Sequence, residues 1–240
     1  MGARVAGFPP AKQGIAHRIH HQRSTKVSSA SRFTTGFRDG PLVRGARGPT
    51  YSGMTVAVTK HLKRQSLTLG GALATSWVVF AATVISGGAL LSYGIVPRTL
   101  FGLRGILFAP FLHANLQHLI ANSVPFVVLG WLVMVRDRRH FLSVTIAAAL
   151  GSGLLSWLLG APGSTHIGAS GVIFGYLGFL MLAGWYARSF ASIAISALVT
   201  MLWGSVVLGV LPTQAGVSWQ GHLGGFIGGI LAARQFRTKR

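Results

Sequence analysis

Between residues 71 and 233 the chain runs through six uncharged, apolar stretches: 71–93, 116–135, 141–159, 169–186, 190–210 and 219–233. Most approach the ~20 residues that a helix needs to cross a bilayer. The last is short and rich in glycine. Pro125 lies within the second, a position that buried membrane helices tolerate. Only 10% of all residues are charged, against roughly 25% in a soluble domain, so the chain cannot clothe a water-facing surface in the usual way. The expectation is an all-α membrane protein, a bundle of six transmembrane helices. The absence of cysteine excludes disulfides, thiolate nucleophiles and Cys-ligated metals.

The net charge of +20 is unevenly placed. Twelve of the 22 Lys and Arg residues precede residue 65, in a segment rich in Arg, Ser and Gly with little apolar periodicity. We read 1–64 as a disordered basic segment, 65–235 as the membrane domain and 236–240 as a basic tail. Three accounts of the N-terminal segment compete: a solvated tail near anionic lipid headgroups, a reading frame extended upstream of a true start at Met54, leaving 1–53 outside the protein, or an organelle-targeting presequence. Nucleic-acid binding is not expected, because no folded module accompanies the charge.

Loop charge sets the orientation. Arg136, Arg138 and Arg139 follow the second stretch, Arg188 follows the fourth, and Arg234, Arg237, Lys239 and Arg240 follow the sixth. The connections 160–168 and 211–218 carry no Lys or Arg, and only Arg98 and Arg104 in the first external connection run against the pattern. Both termini are therefore expected in the cytoplasm, in a bacterial inner membrane or, with a presequence, an organelle membrane.

This orientation places His113, His118, Asn122, Ser170 and His222 at one depth, in the outer half of three spans. Polar groups inside a membrane are expensive and face the protein interior or a water-filled cavity. Ser170 stands in Gly168-Ala169-Ser170-Gly171, at the start of the fourth stretch. Its hydroxyl needs a base to become nucleophilic, and His222 is the side chain that can serve near neutral pH. The two acidic residues, Asp39 and Asp137, both fall on the cytoplasmic side, so no carboxylate can orient the histidine. The pair would work as a dyad, its imidazole held by packing, with Phe174, one turn after Ser170, as the stacking partner. His118 and Asn122, spaced i, i+4, project from one helix face. With the Ser170 amide at a helix start they could donate to an oxyanion.

Each feature alone has a plainer reading. A serine at a helix start is commonly an N-cap, and His222, His118 and Asn122 could be polar packing between helices. Gly221, Gly225 and Gly229 form a ridge of small residues suited to close helix contact. His140 and His166 are read as loop residues without a role. The shared depth favours a site.

In combination, His113-Ala-Asn-Leu-Gln-His118-Leu-Ile-Ala-Asn122, Gly168-Ala169-Ser170-Gly171 and Gly221-His222-Leu-Gly-Gly225 resemble the rhomboid family of intramembrane serine proteases over roughly residues 71–235. The resemblance implies Ser170 as nucleophile, His222 as general base, and His118 and Asn122 with the Ser170 amide as the oxyanion site. It further implies that Gly168 leaves room for the substrate carbonyl and that His113 supports the first external loop. No cofactor or metal is implied. The Trp-Arg pair that many members carry in that loop is replaced nearby by Leu103-Arg104-Gly105, and Phe174 stands where many have Tyr. The expected activity is hydrolysis of a peptide bond in or beside a transmembrane segment, in substrates weakened by Gly and small residues. A hydrated, outward-open cavity lined by His113, His118, Asn122 and Gly168 would admit water. The competing expectation is an inactive rhomboid-like protein that binds transmembrane segments. A transporter is disfavoured, since its site would lie nearer the midplane between repeats.

Overall fold

The computed structural model describes residues 51–136, 138–213 and 216–234. Among these the protein is all-helical. Helix α1 spans Tyr51–Ile85, α2 is the single turn Gly105–Phe108, and α3 spans Leu116–Arg136. Then come α4 (Arg138–Leu159), α5 (Ser170–Ala187), α6 (Phe190–Trp203) and α7 (Trp219–Ala233). Five segments are long and apolar enough to cross a membrane: Leu62–Ile85, Leu116–Arg136, Phe141–Leu159, Ser170–Ala187 and Phe190–Val210. The stretch expected as a sixth span is the 15-residue α7, roughly 22 Å long at 1.5 Å per residue.

Two boundaries differ from expectation. Residues 51–64, assigned to the disordered segment, begin α1, while 1–50 and the tail 236–240 lie outside the described residues. The first apolar stretch also stops being an α-helix at Ile85, eight residues early. Gly87 and Gly88 take φ of 62° and 89°, and their amides bond back to Val84 and Thr83. That left-handed ending is one glycine adopts without steric cost. Apolar composition alone could not show it, since the stretch remains apolar through the 3-10 turn Ala89–Tyr93.

The connection from 86 to 115 is folded back onto α4. Trp157 Nε1 donates to Thr99 O at 2.7 Å, and Arg98 Nη1 to Leu158 O at 3.1 Å. Arg104 is held between the rings of Tyr93 and Phe101, its guanidinium carbon 4.2 and 3.3 Å from their centroids. These contacts anchor the loop with an arginine and aromatic rings of its own.

Helix α5 is the centre of the bundle. Two-thirds of its span is buried, including Tyr176, Leu177, Phe179 and Leu180, which have no exposed surface. Helix α7 lies against both α5 and α4 at backbone distance. A methyl group on Gly225 or Gly229 would collide with the carbonyl of Gly171 or Gly175 on α5, and one on Gly224 or Gly228 with that of Gly151 or Ala147 on α4. Helix association inside a membrane relies on such small-residue seams, because lipid offers no hydrophobic drive to bring helices together. Helix α6 is tied to α5 through Ser196, whose hydroxyl donates to Leu180 O at 2.6 Å and accepts from Gly184 N at 2.9 Å. Its other face, with Phe190 and Met201 88% and 75% exposed, suits contact with lipid.

Candidate active site

Three helix N-termini meet at one place, those of α3, α5 and α7. Ser170 is the first residue of α5. The strand-like segment before it is pinned to the first connection: His166 and Ile95 exchange both backbone hydrogen bonds at 2.9 Å, and Gly168 N donates to Ala109 O at 2.8 Å. Gly168 has φ of +109°, open to glycine but strained for other residues. No side chain caps the start of α5. Its first amides, which have no intrahelical acceptor, carry the positive end of the helix dipole.

His222 stands in the first turn of α7, next to Ser170. Its Nε2 lies 2.8 Å from Ser170 Oγ and its Nδ1 2.9 Å from Gly209 O. A carbonyl can only accept, so Nδ1 carries the hydrogen and Nε2 presents its lone pair to the serine hydroxyl, the tautomer that a general base requires. The ring stacks on Phe174 at 4.1 Å between centroids and 10° between planes, and it is buried. The stacking is as expected. The Gly209 carbonyl was missed: it takes the orienting place that a carboxylate usually fills, and a backbone oxygen leaves no mark in a sequence.

His118 and Asn122 point at the same cradle. A methyl group placed on Gly168 would lie 2.7 Å from His118 Nε2 and 3.7 Å from Asn122 Nδ2. Asn122 Nδ2 also donates to His118 O at 3.0 Å, which fixes which end of the amide carries the hydrogens and leaves one N–H for the cradle. Asn115, also missed, accepts from the His118 amide at 2.8 Å, the side-chain cap that a helix start favours; it secures the first turn of α3 under His118.

His113 packs between His118 and the end of the first connection. It is 1% exposed, its Nδ1 lies 3.3 Å from Phe111 O, and its ring meets His118 edge-on at 5.0 Å. It backs His118. Three of the four residues expected to line one cavity fall in two adjoining ones that share Ile106, Pro110, Ala149 and Val172 in their walls. His113 and Asn122 line an apolar cavity of about 260 Å³ bounded by α1, α3, α4 and α5. Gly168 and Ser170 line the other, of about 20 Å³, with Ser152, Ser156, His166 and Ser218, roughly the room one water requires. His140 belongs to the first turn of α4 and not to a loop. Among the described residues, no three His or acidic side chains gather as metal ligands.

The sequence is similar to that of known proteins. A family model described as a rhomboid domain matches residues 100–238. An uncharacterized protein of Mycobacterium tuberculosis is 39% identical over 188 residues, covering 73% of this chain and 78% of its own; one of Mycobacterium leprae is 46% identical over 139 residues, 55% of each chain. RHOMBOID-like protein 1 of Arabidopsis thaliana is 34% identical over 130 residues, half of this chain and 31% of its own.

Proposed function

Because the chain belongs to the rhomboid family, an integral membrane family, we propose that it is an intramembrane serine endopeptidase that cuts a peptide bond in or beside a transmembrane segment of another protein. The observation that carries this reading is the 2.8 Å contact between Ser170 Oγ and His222 Nε2. His222 takes the hydroxyl proton as Oγ attacks the scissile carbonyl carbon. His118, Asn122 and the Ser170 amide donate to the resulting oxyanion, and Gly209 O holds the imidazolium that forms. The imidazolium gives its proton to the departing amine, leaving an ester on Ser170. Water, deprotonated by the same Nε2, then attacks that ester and releases the acid product. No cofactor enters these steps.

The mycobacterial relatives support a bacterial plasma membrane, and the Arg-bearing connections support cytoplasmic termini, with cleavage near the extracytoplasmic face. Substrates would be single-span or other transmembrane proteins whose helix is weakened by Gly or small residues, since a helical carbonyl is already hydrogen-bonded.

A fluorophosphonate probe should label Ser170 covalently in the purified protein and leave Ser170→Ala unlabelled. An unlabelled wild type would instead favour the non-catalytic binder of transmembrane segments. Within the active enzyme, His118→Ala and Asn122→Ala are each expected to lower kcat about 10²–10³-fold with KM little changed, the loss typical of one oxyanion donor. Steady-state cleavage of a reconstituted single-span substrate measures this.

A further inference from the structure

The sequence assigns His166 no role, yet both nitrogens of its ring are engaged. Ser164 Oγ donates its one proton to Ala161 O at 2.7 Å, so the 3.0 Å contact between Ser164 Oγ and His166 Nε2 places a hydrogen on Nε2. A neutral imidazole has a single N–H, which leaves Nδ1 as an acceptor. Ser218 Oγ, 2.6 Å away, donates to it. The Ser218 hydroxyl oxygen then accepts from the amide of Gly221 at 3.3 Å, and the Ser218 carbonyl accepts from the amide of His222 at 3.0 Å. Ser218 therefore grips the two residues that carry the base into place, and the direction of its own hydroxyl is set by His166.

The same histidine is locked at its backbone to Ile95, two residues before the Gly168 cradle. It links the segment that leads into Ser170 with the first turn that carries His222. Burial holds its pKa below the ordinary 6.5, which favours the neutral ring this bond pattern needs.

We propose that His166 is a positioning residue for the hydrolysis: by fixing the Ser218 hydroxyl at the head of α7, it sets how His222 meets Ser170. This rests on the Ser170–His222 reading. The ring bonds Ser164 and Ser218 and neither member of the dyad, so its effect should fall on turnover and not on substrate affinity.

The test uses the full chain reconstituted with a single-span substrate, together with the rate of fluorophosphonate labelling. His166→Ala should lower kcat and the labelling rate together by about 10–100-fold, the scale of a small misplacement of a catalytic group, with KM unchanged. His166→Asn, which returns an acceptor at the place of Nδ1, should recover most of that loss. Ser218→Ala should reproduce the His166→Ala defect, and the double variant should be no worse than the weaker single one. The proposal is overturned if His166→Ala labels at the wild-type rate, or if His166→Asn is as slow as His166→Ala. If His166→Ala does not fold, Ser218→Ala carries the test alone, since it leaves the 160–169 loop intact; an unchanged rate there overturns the proposal. A wild type that is not labelled at Ser170 overturns the dyad reading instead, so the two failures are distinct.

Discussion

Ser170→Ala and His222→Ala, each reconstituted with a single-span substrate, are expected to lose at least about 10³-fold in cleavage, and the double variant to lose no more than either alone. Groups that act as one unit behave this way, because removing either member disables the whole. The geometry gives the reason. His222 Nε2 is the acceptor nitrogen that meets the hydroxyl, at 2.8 Å, so removing either side chain leaves the other without its partner in the proton transfer. Both side chains can be shortened without breaking the helix seams, so apparent melting temperatures should stay near wild type. That separates a loss of chemistry from a loss of fold. Cleavage surviving in either single variant would remove the dyad from the mechanism.

Gly225→Val is expected to damage fold and activity together. The nearest neighbours of an added Cβ are the backbone atoms of Gly171, which cannot swing aside as a side chain would. Overfilling a packed interior costs about 1–3 kcal/mol, and more where backbone must shift. For a chain of this size that is roughly a 2–12 °C fall in apparent melting temperature. Because α7 must move off α5 at the residue following Ser170, His222 is carried away from Ser170 and cleavage should fall with stability. Gly71→Ala is the control: nothing lies within 4 Å of its Cβ position on α1, and alanine favours a helix over glycine. A melting temperature for Gly225→Val equal to that of Gly71→Ala would show that the seam is not closed.

These expectations divide into those legible in the sequence and those that were not. Long uncharged stretches announce themselves, because a bilayer demands about 20 apolar residues whatever else they do. Five of the six stretches coincide with apolar helical segments long enough to span. The pairing of Ser170 with His222 was also legible, since depth in a membrane follows from position along a span, and Phe174 followed from one turn of spacing. What escaped was carried by backbone or by capping. Gly87 and Gly88 end α1 through φ alone. Gly209 orients the His222 ring with a carbonyl. Asn115 looks like any loop asparagine until its oxygen is seen on the His118 amide, and His166 gains its place only when residues 52 positions apart are brought together. His113 meets Phe111 O of the first connection, the loop that its motif implied it would support.

The Gly209 carbonyl also closes a route of evolutionary change. A carboxylate added to convert the pair into a three-membered relay would have to reach His222 Nδ1 from the position this carbonyl holds. Even a methyl group at residue 209 would sit 2.9 Å from the Phe174 ring and 3.4 Å from Nδ1 itself. An ancestor acquiring aspartate there would displace the aromatic plate that steadies the imidazole, and would have to desolvate a carboxylate in a buried site. Crowding around His222 Nδ1 thus favours a pair over a three-membered relay, and adding a carboxylate would mean rebuilding the connection between α6 and α7.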